Sequence, residues 1–151
     1  MLIRRATEED RIALFKLAAA MHAETDFRHF AFDPHKTING LGAWIHSPDA
    51  LLLVADAGDG VVGMLAASLK QAWFSHDPFM SEDFFYVAAD RRGSRAAYML
   101  MREFMRESEK IALHVRAGVA TGNCQAAERL YEHFGMTYQG GNYSAHLQRT
   151  T

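Results

Sequence analysis

Residues 84–97 read FFYVAADRRGSRAA, and this stretch decides the fold. The apolar run 84–87 is typical of a strand, and the following helix shows apolar residues at helical spacing as far as Ser108. Small residues at the start of that helix leave backbone N–H groups uncovered, at the positive end of the helix dipole. The stretch therefore predicts an anion site, for which a phosphate-bearing ligand is the first candidate.

The flanking sequence predicts further strands and helices within a single domain, residues 1–151. Upstream we predict strands at 2–5, 51–55 and 61–69, and helices from Thr7 to Met21 and from Thr37 to Ile45. Downstream we predict a strand at 111–115, a helix that Asn123 caps and Gly135 ends, and two final strands at 136–138 and 142–147. The order β-α-α-β-β-β-α-β-α-β-β is typical of an α/β layered fold with a mixed sheet and helices on both faces.

Composition excludes several classes of protein. The formal net charge of −2 predicts no general attraction to nucleic acid or to an anionic membrane. The single cysteine, Cys124, permits no internal disulfide, and the eight histidines lack the spacing of metal ligands. The N-terminus does not resemble a signal peptide, and no apolar run has the length of a membrane span. We therefore expect a cytoplasmic protein without a metal site.

A second motif, at residues 123–136, reads NCQAAERLYEHFGM. Together with the first motif and the element order, it resembles the GNAT superfamily of N-acetyltransferases over nearly the whole chain. The cofactor signature of that family is Arg or Gln, two residues, Gly, one residue, then Gly or Ala. Residues 92–97 match its first and last positions, whereas Arg95 stands at the middle glycine. The late motif matches at Asn123, Ala126 or Ala127, Leu130-Tyr131-Glu132 and Phe134-Gly135-Met136.

This resemblance implies a mostly antiparallel sheet and acetyl-CoA as co-substrate. The backbone N–H groups of 92–97 would bind its pyrophosphate, with added charge from Arg92. The pantetheine arm would lie between separated strands, where an N–H near Val87 polarises the thioester carbonyl. Arg95 would either donate to a phosphate or hinder cofactor binding. The structural alternative for Tyr86 is an aromatic residue on the face of the sheet, and that for Asn123 is a helix cap. The predicted cofactor-binding residues are Tyr86, Val87, Arg92, Gly93, Ser94, Arg95, Ala96, Ala97, Asn123 and Ala126.

Three residues are candidates for proton transfer. Tyr131 matches the family tyrosine that protonates the departing thiolate. The alternative is that Tyr131 packs in the core on the apolar face of its helix. Glu82 and Asp83 are candidates for the base that deprotonates the amine, and only one can face the cleft because neighbours in a strand alternate. The alternative is that Glu82 and Asp83 are surface carboxylates without a part in catalysis. The aromatic-rich region around 22–32, with Trp73 and Phe74, is a candidate for the wall of the acceptor pocket.

The sequence thus predicts an acetyl-CoA-dependent N-acetyltransferase in which a primary amine attacks the thioester directly within a ternary complex. The identity of the amine stays open. One alternative is a non-catalytic acyl-CoA-binding or sensing module of the same fold, which the substitution at Arg95 favours. Another is a phosphate- or nucleotide-binding protein unrelated to coenzyme A. Pairing of the final strands with a second chain would give a homodimer.

Overall fold

The fold was described from a computed structural model, which covers residues 1–119, 125–141, 143–145 and 147. Nine helices and strands are defined in this part of the chain. In order they are β1 (Leu2–Arg5), α1 (Arg11–Glu24), α2 (Pro34–His46), β2 (Ala50–Asp56), β3 (Val61–Gln71), β4 (Pro78–Val87), α3 (Ala96–Ser108), β5 (His114–Arg116) and α4 (Gln125–His133). Short 3-10 turns at Glu8–Asp10, Asp26–His29 and Ala89–Arg91 lead into or connect these elements.

The five strands form one sheet in the order β1-β2-β3-β4-β5. Pairing is antiparallel from β1 to β4 and parallel between β4 and β5, which confirms the predicted mixed, mostly antiparallel sheet. The parallel pairing joins only 79–81 to 114–116. From Glu82 onwards β4 has no strand partner on that side within the described residues, so the sheet opens there.

A β-bulge lies at the start of this opening. Ala66 is opposite Phe84 and Ala67 is opposite Glu82, so Asp83 is an extra residue in β4. A bulge of this kind bends its strand and redirects the side chains that follow. The sequence analysis did not predict it, because a single inserted residue leaves no distinctive composition.

Hydrophobic cores cover both faces of the sheet, as predicted. The first core packs α1 and α2 through Leu14, Leu17 and Leu41 against Leu52, Val54 and Met64. The second core packs α3 through Leu100, Met101 and Phe104 against Leu53 and Leu65, and α4 adds Leu130, Tyr131 and Phe134 at its margin. Gly63 allows α3 to approach closely, since a Cβ there would lie 3.2 Å from Leu100, from the Tyr86 carbonyl oxygen and from Val87.

The end of α4 agrees with the predicted glycine stop. Gly135 has φ +77°, a left-handed conformation that glycine adopts without a steric penalty. The Met136 N–H donates to the Tyr131 carbonyl oxygen at 3.1 Å, and the Gly135 N–H donates to that of Glu132 at 2.9 Å. These two bonds form a Schellman motif, which satisfies carbonyl groups that the helix end would otherwise leave unpaired. The predicted cap at the other end, Asn123, lies outside the described residues.

Several predicted boundaries need correction. The helix predicted from Thr37 begins at Pro34, because Asp33 accepts the Lys36 N–H at 3.0 Å and proline suits the first helical position. The hairpin of β3 and β4 extends beyond the strand ends predicted at 69 and 84 to the pair Gln71 and Pro78. Turn hydrogen bonds continue beyond the end of α3 as far as Ala112, whose N–H donates to Ser108 O at 3.0 Å, so β5 begins later than predicted.

The two final strands predicted at 136–138 and 142–147 are absent from the described residues of that segment. Residues 136–141, 143–145 and 147 show no regular structure, while Asn142 and His146 are not described. The segment buries little apolar surface, since Tyr138, Tyr143 and Leu147 are 77%, 102% and 81% exposed. Without burial on one face, alternation alone does not compensate for the entropy lost in ordering a strand.

Candidate active site

A cavity of about 630 Å³ lies where β4 and β5 separate. Its walls come from the end of α1, the second half of β4, the turn before α3, residues 118–119 and one face of α4. The residues predicted from the sequence that line it are Glu82, Asp83, Tyr86, Val87, Arg92, Gly93, Ser94, Ala97, Ala126 and Tyr131. The structure thus brings together residues from both sequence motifs in one cleft.

Three predicted residues do not line this cavity or are not described. Ala96 is fully buried and packs in the core beneath α3, so only its backbone is available to a ligand. Arg95 lies at the helix start with an exposed side chain. Asn123 lies outside the described residues. No contact with a cofactor arm is therefore assigned to these side chains.

The turn before α3 presents backbone donors towards the cavity. Within the described part of the chain, the N–H groups of Gly93, Arg95 and Ala97 have no hydrogen-bond acceptor, whereas the Ala96 N–H donates to Ser94 Oγ at 3.3 Å. Unpaired donors at the start of a 13-residue helix form an anion site together with the helix dipole.

Gly93 and Arg95 adopt different backbone conformations in this turn. Gly93 has φ +80°, so it adopts the left-handed conformation that reverses the chain. Arg95 has φ −76° and ψ −1°, which any residue adopts without strain. Arginine at the middle position of the family signature is therefore compatible with the backbone of this turn.

Glu24, at the end of α1, connects Tyr86 with Arg92. The Tyr86 hydroxyl donates to Glu24 Oε1 at 2.6 Å, and Arg92 Nη2 donates to Glu24 Oε2. The Arg92 guanidinium also lies 5.4 Å from the centre of the Tyr86 ring. The hydrogen bonds from Tyr86 and Arg92 lower the pKa of Glu24, whereas burial and Glu24 together raise the pKa of Tyr86 to about 12. At neutral pH Glu24 is therefore ionised and Tyr86 keeps its proton.

The pairing register fixes the direction of the Val87 backbone. Val87 is opposite Gly63, and the N–H of the next residue, Ala88, donates to Val62 O at 2.9 Å. In an antiparallel ladder this makes Gly63 and Val87 a non-hydrogen-bonded pair, whose own N–H and C=O groups point away from each other. In agreement, the Val87 carbonyl oxygen accepts a hydrogen bond from Arg92 Nε at 3.2 Å. The Val87 N–H therefore points towards the open side of β4.

Glu82 and Tyr131 form a hydrogen-bonded pair across the cavity. The Tyr131 hydroxyl lies 3.0 Å from Glu82 Oε2 and 3.0 Å from the Gly118 carbonyl oxygen, and the Gly118 N–H lies 3.2 Å from Glu82 Oε2. Burial raises the pKa of Glu82 to about 7, although the hydrogen bonds from Gly118 and Tyr131 oppose this shift. The carboxyl group therefore exchanges its proton near neutral pH, the range that suits a general base.

Asp83 is bound on the other face of β4. It accepts hydrogen bonds from Ser68 Oγ and, at 2.6 Å, from Lys70 Nζ. These partners hold it as an ion pair near the α1–α2 side, away from Tyr131. Both carboxylates line the cavity, so the prediction that only one can face the cleft is wrong, but Glu82 contacts Tyr131 whereas Asp83 pairs with Lys70.

A second cavity, of about 370 Å³, lies between α1, the turn at 26–29 and α2. It shares Met21, Phe27 and Phe84 with the first cavity. Phe27 and Phe32 line it, in agreement with the predicted aromatic wall. Trp73 and Phe74 do not, because they lie on the β3–β4 loop with 95% and 74% of their surface exposed.

The match to a known family decides the classification. Residues 14–136 match the model of the Acetyltransferase (GNAT) family. This chain belongs to that family, and its activity is that of an acetyltransferase. A search of curated protein sequences found no match. The family assignment therefore rests on the family model and on the residues quoted above.

Solved structures with a similar fold include three that span nearly the same length. A probable acetyltransferase is 19% identical, with 99% of this chain and 100% of that chain covered and a TM-score of 0.77. A transcriptional regulator from Bacillus halodurans is 18% identical, with 97% and 99% covered and a TM-score of 0.78. An aminoglycoside antibiotic 6'-N-acetyltransferase from Acinetobacter haemolyticus is 17% identical, with 100% and 99% covered and a TM-score of 0.73. At these identities the likeness concerns the fold alone.

Among the residues that the structure describes, no group of three or more His, Cys, Asp or Glu side chains could hold a metal ion. None of the helices defined in the same residues has both the length and the apolar character needed to cross a membrane.

Proposed function

We propose that this protein is an acetyl-CoA-dependent N-acetyltransferase that transfers an acetyl group to a primary amine by direct attack in a ternary complex. The observation that carries this proposal is the Glu82–Tyr131 pair, which lies in a cleft bordered by unpaired backbone donors. Family membership supports acetyl transfer, and this pair supplies the proton-transfer groups that the amine and the thiolate need.

Cofactor binding would use the turn before α3 and the open side of β4. The N–H groups of Gly93, Arg95 and Ala97 would donate to the pyrophosphate, and Arg92 would contribute charge by turning from Glu24 towards it. The amides of the pantetheine arm would pair with the free backbone groups of β4 beyond Glu82, as an added strand does. Ala126 would keep the facing side of α4 low enough for the arm.

Three groups of this chain would act on the reacting atoms. Glu82 would accept the proton of the attacking amine, directly or through water, as the C–N bond forms. The Val87 N–H would donate to the oxyanion of the tetrahedral intermediate. Tyr131 would donate its proton to the sulfur as the C–S bond breaks, and the proton held by Glu82 would then restore the Tyr131 hydroxyl through their hydrogen bond. Protons and charge balance over the cycle.

The geometry favours catalysis over the alternative of a non-catalytic sensing module. The feature that favoured the sensing module was Arg95 in place of a glycine. In the structure this residue has an ordinary helical backbone and an exposed side chain, so it does not fill the anion site. A sensing module also has no need for a buried carboxyl group paired with a tyrosine at the open edge of the sheet. Homodimer formation and a cytoplasmic location stay predictions.

The first experiment is isothermal calorimetry with acetyl-CoA, coenzyme A and ATP in parallel, followed by thiol release with a panel of amines. We expect micromolar binding of acetyl-CoA and coenzyme A, no binding of ATP, and amine-dependent thiol release. Binding without thiol release for any amine would favour the sensing module. Absence of coenzyme A binding would overturn both functions, because each requires the anion site.

A further inference from the structure

The cavity between α1 and α2 has a composition unlike that of the reactive cleft. Four aromatic side chains line it, namely Phe27, Phe32, Trp44 and Phe84. The Trp44 and Phe84 rings lie 5.5 Å apart at an interplanar angle of 60°, so they present tilted faces to the space between the helices and the sheet. Tilted aromatic arrangements of this kind pack well against another ring.

Three polar side chains at this cavity already have backbone partners. His22 Nε2 lies 2.8 Å from the Phe30 carbonyl oxygen, and Thr37 Oγ1 donates to the Asp33 carbonyl oxygen at 2.8 Å. The Asp33 carboxylate caps α2 by accepting the Lys36 N–H at 3.0 Å. A polyhydroxylated ligand would therefore lose hydrogen bonds to water and find few replacements here beyond the exposed Lys36, which is unfavourable. An apolar group meets no such penalty.

The volume and position of this cavity further restrict the kind of ligand that it can bind. The volume of about 370 Å³ is sufficient for an aromatic ring, since a cavity of roughly 150 Å³ lined by apolar side chains holds benzene. The cavity meets the reactive cleft at Met21, Phe27 and Phe84, and Phe84 lies on the same strand as Glu82 and Val87. A ring bound between α1 and α2 would thus have its substituent directed towards the cleft.

We propose that the acceptor is a primary amine that carries an aromatic ring, and that the α1–α2 cavity binds this ring while the amine extends past Phe84 into the cleft. This inference rests on the proposed function, of which it specifies the acceptor class. It separates the acceptor from aminoglycosides, whose many hydroxyl groups do not suit an apolar pocket.

Gly40 offers a direct test because it lines this cavity from α2 and has open space where a Cβ would stand, with no atom within 4 Å. Gly40→Leu should fill the pocket without disturbing the helix, since leucine has a higher helix propensity than glycine. Gly40→Ala adds a single methyl group at the same position and should give a smaller effect. Asn39→Leu adds the same side chain one residue away, at an exposed position outside the cavity.

The main experiment compares phenylethylamine with ethylamine and kanamycin as acceptors by thiol release. We expect phenylethylamine to have the highest kcat/KM, and Gly40→Leu to lower this value about tenfold or more, in line with the selectivity of apolar pockets. The same variant should leave ethylamine turnover within about twofold, and Asn39→Leu should match the wild type with every amine, because neither change removes a contact to the amine or to the cofactor. Equal kcat/KM values for phenylethylamine and ethylamine, or an unchanged value in Gly40→Leu, would overturn the proposal.

A binding measurement keeps this test independent of turnover. The chain has two tryptophans, Trp44 and Trp73, so Trp73→Phe leaves Trp44 in the cavity as the single fluorescent reporter. With coenzyme A present, we expect phenylethylamine to change Trp44 emission, and Gly40→Leu to abolish the change. Binding without acetyl transfer would support the ring pocket and overturn the proposed activity. Transfer to ethylamine without phenylethylamine binding would overturn only the ring pocket, and absence of both would overturn both.

Discussion

The two sides of β4 bring together opposite kinds of chemistry. On the side of α4, Glu82 and Tyr131 form a buried polar pair with the backbone of Gly118. On the side of α1 and α2, Phe84 faces a cavity lined by aromatic rings. The bulge at Asp83 separates these two environments within three residues of sequence. One strand can thus present a proton acceptor to the reaction on one face and an apolar wall to the acceptor on the other.

The neighbouring carboxylates make the same contrast at the level of single residues. Glu82 is desolvated and its pKa is raised to about 7, whereas Asp83 has a lysine and a serine as partners. Burial with few compensating charges raises the pKa of a carboxyl group, and an ion pair stabilises the charged form. Residue type alone therefore does not decide which carboxylate accepts a proton, because the environment on each face does.

The largest expected effect separates these two carboxylates. Glu82→Gln should lower kcat/KM by about 100-fold or more, because removing a positioned general base costs that much. Its matched control, Asp83→Asn, should stay within about threefold, because that residue pairs with Lys70 and Ser68 rather than with Tyr131. Thiol release at saturating acetyl-CoA measures both. Equal losses in the two variants would contradict the assignment of the base to Glu82.

The pH dependence sharpens that assignment. Because the pKa of Glu82 is raised to about 7, the basic carboxylate form increases as pH rises through 7. We expect the ratio of wild-type to Glu82→Gln kcat/KM to rise over this range and then level off, because ionisation of the free amine affects both enzymes equally. Initial rates from pH 5.5 to 8.5 would test this. A ratio that is flat around pH 7 would count against Glu82.

Tyr131→Phe should have the next largest effect, on kcat rather than on cofactor binding. Loss of the phenolic proton should slow turnover by about 100-fold, within the range of a general acid, and the ability of a thiolate to leave unprotonated sets an upper limit to the loss. Tyr98→Phe is a control, since Tyr98 lies on α3 and its ring packs against Phe134 outside the cavity. Unchanged turnover of Tyr131→Phe with every acceptor would remove the acid role.

Stability should change in the direction opposite to activity when Glu82 is replaced. Raising the pKa of a carboxyl group from 4.5 to about 7 on folding leaves the free energy of unfolding unchanged below pH 4.5. As pH rises it lowers this free energy, and the loss is complete above pH 7. At about 1.4 kcal/mol per pKa unit, this loss is on the order of 3 kcal/mol. Thermal unfolding of Glu82→Gln should therefore show a higher Tm than the wild type at pH 8 and little difference at pH 4. A lower Tm at pH 8 would contradict the desolvation of this group.

The smallest expected effect is that of Glu24→Gln on the binding of coenzyme A. Glu24→Gln weakens the hold on Arg92, so we expect tighter binding of coenzyme A by about two- to fivefold, the range of an exposed ion pair. Calorimetry with coenzyme A measures this change. Weaker binding in Glu24→Gln would show instead that the pair positions Arg92 for the phosphate. Asp59→Asn is a suitable control, because it removes the partner of the neighbouring Arg91.

Local sequence signals predicted a substantial part of the molecule. Apolar spacing located α3, and small residues after a strand located the turn at its start, whose backbone N–H groups lack acceptors among the described residues. The glycine after α4 marked its end, which the φ of +77° at Gly135 explains. The two motifs also brought Tyr131 and the 92–97 turn into one hypothesis, and both line the same cavity. Each of these features depends on residues close together in the chain.

Other features had no local signal. The partners in the Glu24–Arg92 and Glu82–Tyr131 pairs are 68 and 49 residues apart, so only the folded chain brings them together. The bulge in β4 depends on tertiary pairing, whereas the early start of α2 had a local signal, the Asp33 cap followed by Pro34, that the prediction overlooked. The predicted final strands illustrate the reverse error, because an alternating pattern forms a strand only where one face becomes buried.

The sequence by itself determined the family, the layered fold and the turn with unpaired backbone N–H groups before α3. The reason is that periodicity, turn residues and helix starts are properties of consecutive residues. The tertiary structure decided which carboxylate titrates near neutral pH and which face of β4 is aromatic. Those outcomes depend on desolvation and on contacts between distant segments, and both arise only when the sheet opens between β4 and β5.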